Sequence, residues 1–169
     1  MNNALMTIAL LGTVLSNPAA AQQRPAPAVE VAAGALLFAG DATVTEPFIG
    51  GAARIYVSPR ISVGPEIAYI SGERHSHLML TGNVTFDFLA PIQGRARTVT
   101  PFAVIGGGLF RTREEFFNDE IFTSSEGAFT AGGGVRALAG RRVIVGAEAR
   151  VGWELHIRLN GFVGVRLGS

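Results

Sequence analysis

The feature that most restricts this chain is an alternation of apolar and polar side chains sustained over segments of about ten residues. His77–Phe88 shows it most clearly. One parity carries Leu78, Leu80, Gly82, Val84, Phe86 and Phe88; the other carries His77, Met79, Thr81, Asn83, Thr85 and Asp87. Successive side chains of a strand point to opposite faces, so this segment has one greasy surface and one polar surface. Ile61–Tyr69, Val143–Trp153 and Ile157–Leu167 repeat the pattern, and Val29–Gly40, Ile49–Val57, Thr100–Thr112 and Gly127–Leu138 follow it more weakly. No segment after residue 28 keeps a helical period. Eight such strands predict an all-β fold, an eight-stranded antiparallel up-and-down barrel, with strands long enough to cross a bilayer at a tilt. Ser58-Pro59-Arg60 and Ala139-Gly140-Arg141 read as tight turns at one end, and Asp41–Pro47 and Glu114–Glu126 as longer loops at the other.

The start of the chain has a different character. Met1–Gln23 carries no charge, and its apolar stretch Ala4–Leu15 is followed by Pro18 and the small-residue pattern Ala19-x-Ala21. That is the layout of a cleaved export signal, too short to remain as a spanning helix. The expected organisation is a signal peptide over 1–21, an extended leader over 22–28 containing Pro25 and Pro27, and a barrel domain over 29–169. Composition narrows the function. The chain has no Cys, which excludes disulfides, thiolate metal sites and a Cys nucleophile. Its net charge is +1 without any basic run, which argues against a nucleic-acid partner. Only 16% of residues are charged and mean hydropathy is +0.33, so the apolar surface must meet either a large interior or lipid.

Alternation does not say which face is wet. In a soluble barrel the apolar parity fills the axis; in a membrane barrel it meets hydrocarbon and the charges fill the lumen. The polar parity here is sparse and rich in glycine (Gly64, Gly132, Gly134, Gly146, Gly152 and Gly164). It also carries both signs of charge: Arg54, Arg136, Arg150, Arg158 and Arg166 against Glu66, Asp87 and Glu148. Enclosed charges need partners, and a narrow lumen needs small residues beside the large ones. These eight residues are therefore assigned to a polar network inside the barrel. Aromatic residues near the strand ends suggest two interfacial girdles, with Tyr69, Phe110, Phe129 and Trp153 at the loop end and Phe86, Phe88 and Phe102 at the turn end. All 14 basic residues are arginine, whose rigid fork suits enclosed pairs.

Four motifs stand out: Phe48-Ile-Gly-Gly-Ala-Ala-Arg-Ile-Tyr-Val57, followed by Ser-Pro-Arg, then Ile61-Ser-Val-Gly-Pro-Glu-Ile-Ala-Tyr69, Thr100-Pro-Phe-Ala-Val-Ile-Gly-Gly-Gly-Leu-Phe110 and Asn160-Gly-Phe-Val-Gly-Val-Arg-Leu167. Through them the chain, over about Val29–Gly168, resembles the small eight-stranded outer-membrane β-barrels of Gram-negative bacteria, the OmpA-like type. The resemblance implies residence in the outer membrane, contact with its lipid, insertion by the barrel-assembly machinery and a monomeric state. Many members end in an aromatic residue, whereas this sequence ends Arg166-Leu-Gly-Ser169.

Three segments could carry chemistry. Glu73-Arg74-His75-Ser76-His77 offers a hydrolase-like set or a two-histidine half-site, but no third partner stands at a defined spacing. Gly132-Gly133-Gly134-Val135-Arg136-Ala137 matches a dinucleotide fingerprint, yet no helix follows to receive a pyrophosphate. The acidic segment 114–126 reads either as an outward surface for an extracellular ligand, with Phe116, Phe117 and Phe122 as contacts, or as a solvated hairpin extension. The expectation is therefore an outer-membrane barrel with a structural or surface-interaction role, without catalytic residues, cofactor or metal. A soluble barrel holding an apolar ligand, as lipocalins do, and a barrel-embedded lipid-modifying enzyme are the alternatives.

Overall fold

The computed structural model describes residues 24–38, 44–72, 75–89, 99–115, 121–152 and 156–168. The expected export signal and its cleavage site lie outside the described residues, as do Trp153, the connection 90–98, and Phe116 and Phe117 of the acidic segment. Eight strands follow in chain order: β1 (Ala28–Phe38), β2 (Val44–Tyr56), β3 (Ile61–Ser71), β4 (His75–Asp87), β5 (Val99–Glu115), β6 (Ile121–Ala139), β7 (Val143–Gly152) and β8 (His156–Arg166). Each pairs antiparallel with its sequence neighbour, and β8 returns to β1, so the sheet closes without an edge. The closing seam runs from Ala28 opposite Arg166 to Phe38 opposite His156. Closure gives every strand a paired neighbour on each side within the barrel wall, the condition for a sheet to survive in hydrocarbon.

The turn end is built by local chemistry. Between β2 and β3, Ser58 Oγ accepts from the backbone N–H of Ile61 at 3.0 Å and of Arg60 at 3.3 Å. Between β6 and β7, Gly140 takes φ +70°, a left-handed conformation that costs glycine nothing. The loop end departs from expectation. β2 begins at Val44, inside the segment read as a loop, and β5 and β6 run to 17 and 19 residues, absorbing most of 114–126 into a paired hairpin. Thr112 opposite Ser124, Arg113 opposite Thr123 and Glu115 opposite Ile121 extend the ladder. The interleaved charges hide the β-branched and aromatic residues that favour a strand there.

The alternation resolves into an apolar exterior. Ile49, Leu80, Ile105, Val151 and Val163 are each at least half exposed on the outer wall, while the opposite parity is enclosed. A belt of this extent is not a surface that water tolerates. The arrangement is the reverse of a lipocalin-like carrier, whose axis would hold the aliphatic side chains.

Candidate functional site

Among the described residues, inward side chains stack in layers along the barrel axis. Nearest the turns, Arg136 pairs with Asp87, and its NH1 donates to Tyr56 Oη at 3.2 Å. One step along the axis, Arg54 donates through Nε to Glu30 Oε2 at 2.8 Å and through NH1 to Thr85 Oγ1 at 2.9 Å. The middle layer is a four-charge lattice. Arg150 forks onto Glu148 at 2.7 and 2.9 Å and reaches Glu66 at 2.9 Å; Arg158 pairs with Glu66 and donates to Glu148 at 2.9 Å. Asn83 closes the lattice, donating to Glu66 at 2.8 Å and accepting from Arg150 at 3.2 Å. Arg166, at the turn end of β8, is half-buried and joins none of these clusters. Arg150 meets Glu148 as a bidentate pair and each of the other buried arginines reaches a carboxylate, which is what a buried charge requires. Among the described residues, Arg136 Nε and Arg158 Nε donate no hydrogen bond, and Glu30 Oε1 accepts none.

Arginines also lie on ring faces. The guanidinium carbon of Arg136 is 4.5 Å from the Phe102 ring centre, that of Arg54 is 5.3 Å from it, and that of Arg158 is 5.2 Å from Phe48. Glycine makes the room. A Cβ at Gly146 would meet Phe162 Cζ at 2.3 Å, and one at Gly132 would meet the Arg150 side chain at 2.9 Å. Among the described residues, two gaps of about 20 and 10 Å³ lie around Arg54, Arg150 and Arg158, space for a single water each at most.

Two of the expected girdle residues are corrected. Phe102 and Phe110 point inward and are buried, Phe102 within an apolar cluster with Val104, Ile144 and Phe162, and Phe110 within another with Leu36, Phe48, Ile70 and Met79. β5 is apolar on both parities, so its own alternation carries no sign. Its neighbour supplies the sign. Asp87, an inward residue of β4, lies opposite Phe102, and directly opposed residues share a face. Tyr69 and Phe129 at the loop end, and Phe86 and Phe88 at the turn end, stand on the outer wall.

Above the Phe110 cluster, at the loop end, a second polar group closes the lumen. His75 and His77 of β4 both turn inward, while Ser76 belongs to the opposite parity, so the hydrolase-like set does not assemble. Glu46, which lies within the segment read as a loop, enters between the histidines from β2, reaching past the end of β3 at Ser71. His75 Nε2 contacts Glu46 Oε1, and His77 Nε2 stands 3.6 Å from Glu46 Oε2. His77 Nδ1 bonds Thr112 Oγ1 at 2.9 Å, and its ring stacks on Phe110 at 4.9 Å. The His156 ring centre lies 5.8 Å from that of Phe38 and 6.4 Å from that of Phe110.

Sequence reasoning missed Glu30 and Glu46. A signal was present: the expected network held five arginines against three acids, an excess that an enclosed space does not sustain. Both missing carboxylates sit on strands whose own alternation is weak.

A closed eight-stranded antiparallel barrel with a hydrocarbon-compatible wall and a charged, packed axis defines the class: small transmembrane β-barrels of the outer-membrane type. Solved structures of that class superpose on this chain. Neisserial surface protein A matches with a TM-score of 0.71 at 11% identity, over 83% of this chain and 97% of that one. The N-terminal β-barrel domain of Pseudomonas aeruginosa OprF matches at 0.62 and 13% identity, over 83% and 97%. Ail, the attachment invasion locus protein of Yersinia pestis, in complex with the heparin analogue sucrose octasulfate, matches at 0.60 and 10% identity, over 85% and 98%. At these identities the likeness is one of fold. No protein-family model matches the chain, and no curated protein matches its sequence.

Proposed function

We propose that this protein is a resident of the Gram-negative outer membrane, delivered there by a cleaved signal peptide and the barrel-assembly machinery. It acts as a monomeric structural or surface-interaction protein, without enzymatic activity and without a pore wide enough for sugars. One observation carries this reading: the Arg150–Glu66–Arg158–Glu148 lattice is enclosed by a wall whose exposed side chains are aliphatic. Water outside would oppose that arrangement, and lipid requires it. The apolar and charged layers packed along the axis support a closed lumen. The β5–β6 hairpin, the longest pair in the barrel, is the element placed to meet an extracellular ligand around 114–126.

Fractionation of expressing cells tests the compartment. The protein is expected in the outer-membrane fraction, with a gel mobility that changes on boiling; recovery as a soluble periplasmic species would overturn the assignment. Planar-bilayer recording tests the lumen, and steady large channels from refolded protein would refute closure.

A further inference from the structure

We propose that Glu46, His75 and His77 form a binding site for one divalent transition-metal ion at the loop-end mouth of the barrel. Charge is the first reason. Among the described residues, four buried arginines share the lumen with five buried carboxylates, and each of Glu30, Glu66, Asp87 and Glu148 is paired with a guanidinium. Glu46 is the fifth. It is only 3% exposed, its ionic contacts are the two imidazoles, and its Oε2 accepts no hydrogen bond. Where the other four carboxylates meet a guanidinium, this one meets two imidazoles, side chains that also ligate metal ions.

Geometry is the second reason. The ligand atoms of the three side chains lie within 4.8 Å of one another. Bonds of about 2.0–2.2 Å to a tetrahedral ion place its ligands about 3.3–3.6 Å apart, and His77 Nε2 to Glu46 Oε2 is already 3.6 Å. Inward histidines at i and i+2 of one strand present both rings to the same space. Gly72 makes the site possible: a Cβ there would meet His75 Nε2 at 2.4 Å, so only glycine lets that ring lie toward β2. His77 is oriented by its Nδ1 contact to Thr112, the outer-layer support that metal-binding histidines commonly have. The His75 side chain is 32% exposed, which leaves an approach from outside.

Donor type selects the ion. Two imidazoles and one carboxylate suit Zn²⁺, Co²⁺, Ni²⁺ or Fe²⁺ and leave coordination positions for water, whereas Ca²⁺ and Mg²⁺ require oxygen donors. Glu114, opposite His75 in the β4–β5 ladder, adds negative potential at the rim. The site stands on the barrel's geometry and is independent of any loop partner.

The full-length barrel, refolded in micelles, is titrated with ZnCl₂ by calorimetry at pH 7.5, and with CoCl₂ by visible absorption. One equivalent is expected, with a Co²⁺ spectrum of nitrogen and oxygen ligation. Affinity should fall about tenfold or more in Glu46→Gln, His75→Asn and His77→Gln. Glu114→Gln should change it less than threefold, and CaCl₂ should give no heat. Heat-modifiable mobility is read for every variant; His75→Asn, at the open edge, should fold even if the others do not. Absence of Zn²⁺ binding to the parent protein, or binding undiminished in His75→Asn and in the other folded ligand variants, would overturn the assignment.

Discussion

Arg158 is the most informative residue to remove from the lumen. It is 2% exposed and bridges Glu66 and Glu148. In Arg158→Met the volume is nearly kept, but two carboxylates are left sharing Arg150 and Asn83. Breaking a buried ion pair from one side costs about 3–5 kcal/mol, because the surviving charge stays buried. Arg150 still forks onto Glu148 and touches Glu66, so the lower end, about 3 kcal/mol, applies here. With a urea dependence of about 2 kcal/mol per molar, the unfolding midpoint should fall by about 1.5 M. The assay is equilibrium urea unfolding of the barrel in lipid vesicles, followed by the boiled-versus-unboiled gel shift. Adding Glu148→Gln restores the charge match and should recover at least half of the loss. The reasoning fails if Arg158→Met unfolds within about 0.3 M of the parent, or if the double variant is no more stable than the single one.

Other perturbations test the wall, the packing and the topology. Gly146→Val places a side chain into Phe162 and should cost about 1–3 kcal/mol; Phe162→Ala in the same chain should recover part of that, read by the same unfolding curves. Leu80→Arg puts a charge on the aliphatic wall and should destabilise the barrel in vesicles by about 2–4 kcal/mol if it lies near mid-membrane. Phe122→Arg, in the extended hairpin, should stay within about 0.5 kcal/mol. Equal effects of the two would refute the placement of the belt. An epitope inserted within 116–120 should be detected on intact cells, and detection only after lysis would invert the barrel. Zn²⁺ binding should weaken as the pH falls, because protons compete with the metal for imidazole and carboxylate ligands; calorimetry at pH 5.5 and 7.5 checks it.

The architecture was legible in the chain because strand structure is a local signal. The two-residue period of His77–Phe88, Val143–Trp153 and Ile157–Leu167 needs no knowledge of neighbours, and eight repeats leave closure as the natural end for the edges. The lumen assignment of Arg54, Arg150 and Arg158 followed from the same period together with the need of enclosed charge for partners. Where both parities are apolar, as in Thr100–Thr112, the period has no sign. The direction of Phe102 and Phe110 then depends on register with β4, a relation between distant parts of the chain. Glu46 was hidden for a similar reason: its partners stand two strands away, reached across the short end of β3. Alternation is a property of adjacent residues and can be read along the backbone, whereas the meeting of a carboxylate with two histidines exists only once the sheet has curled and closed.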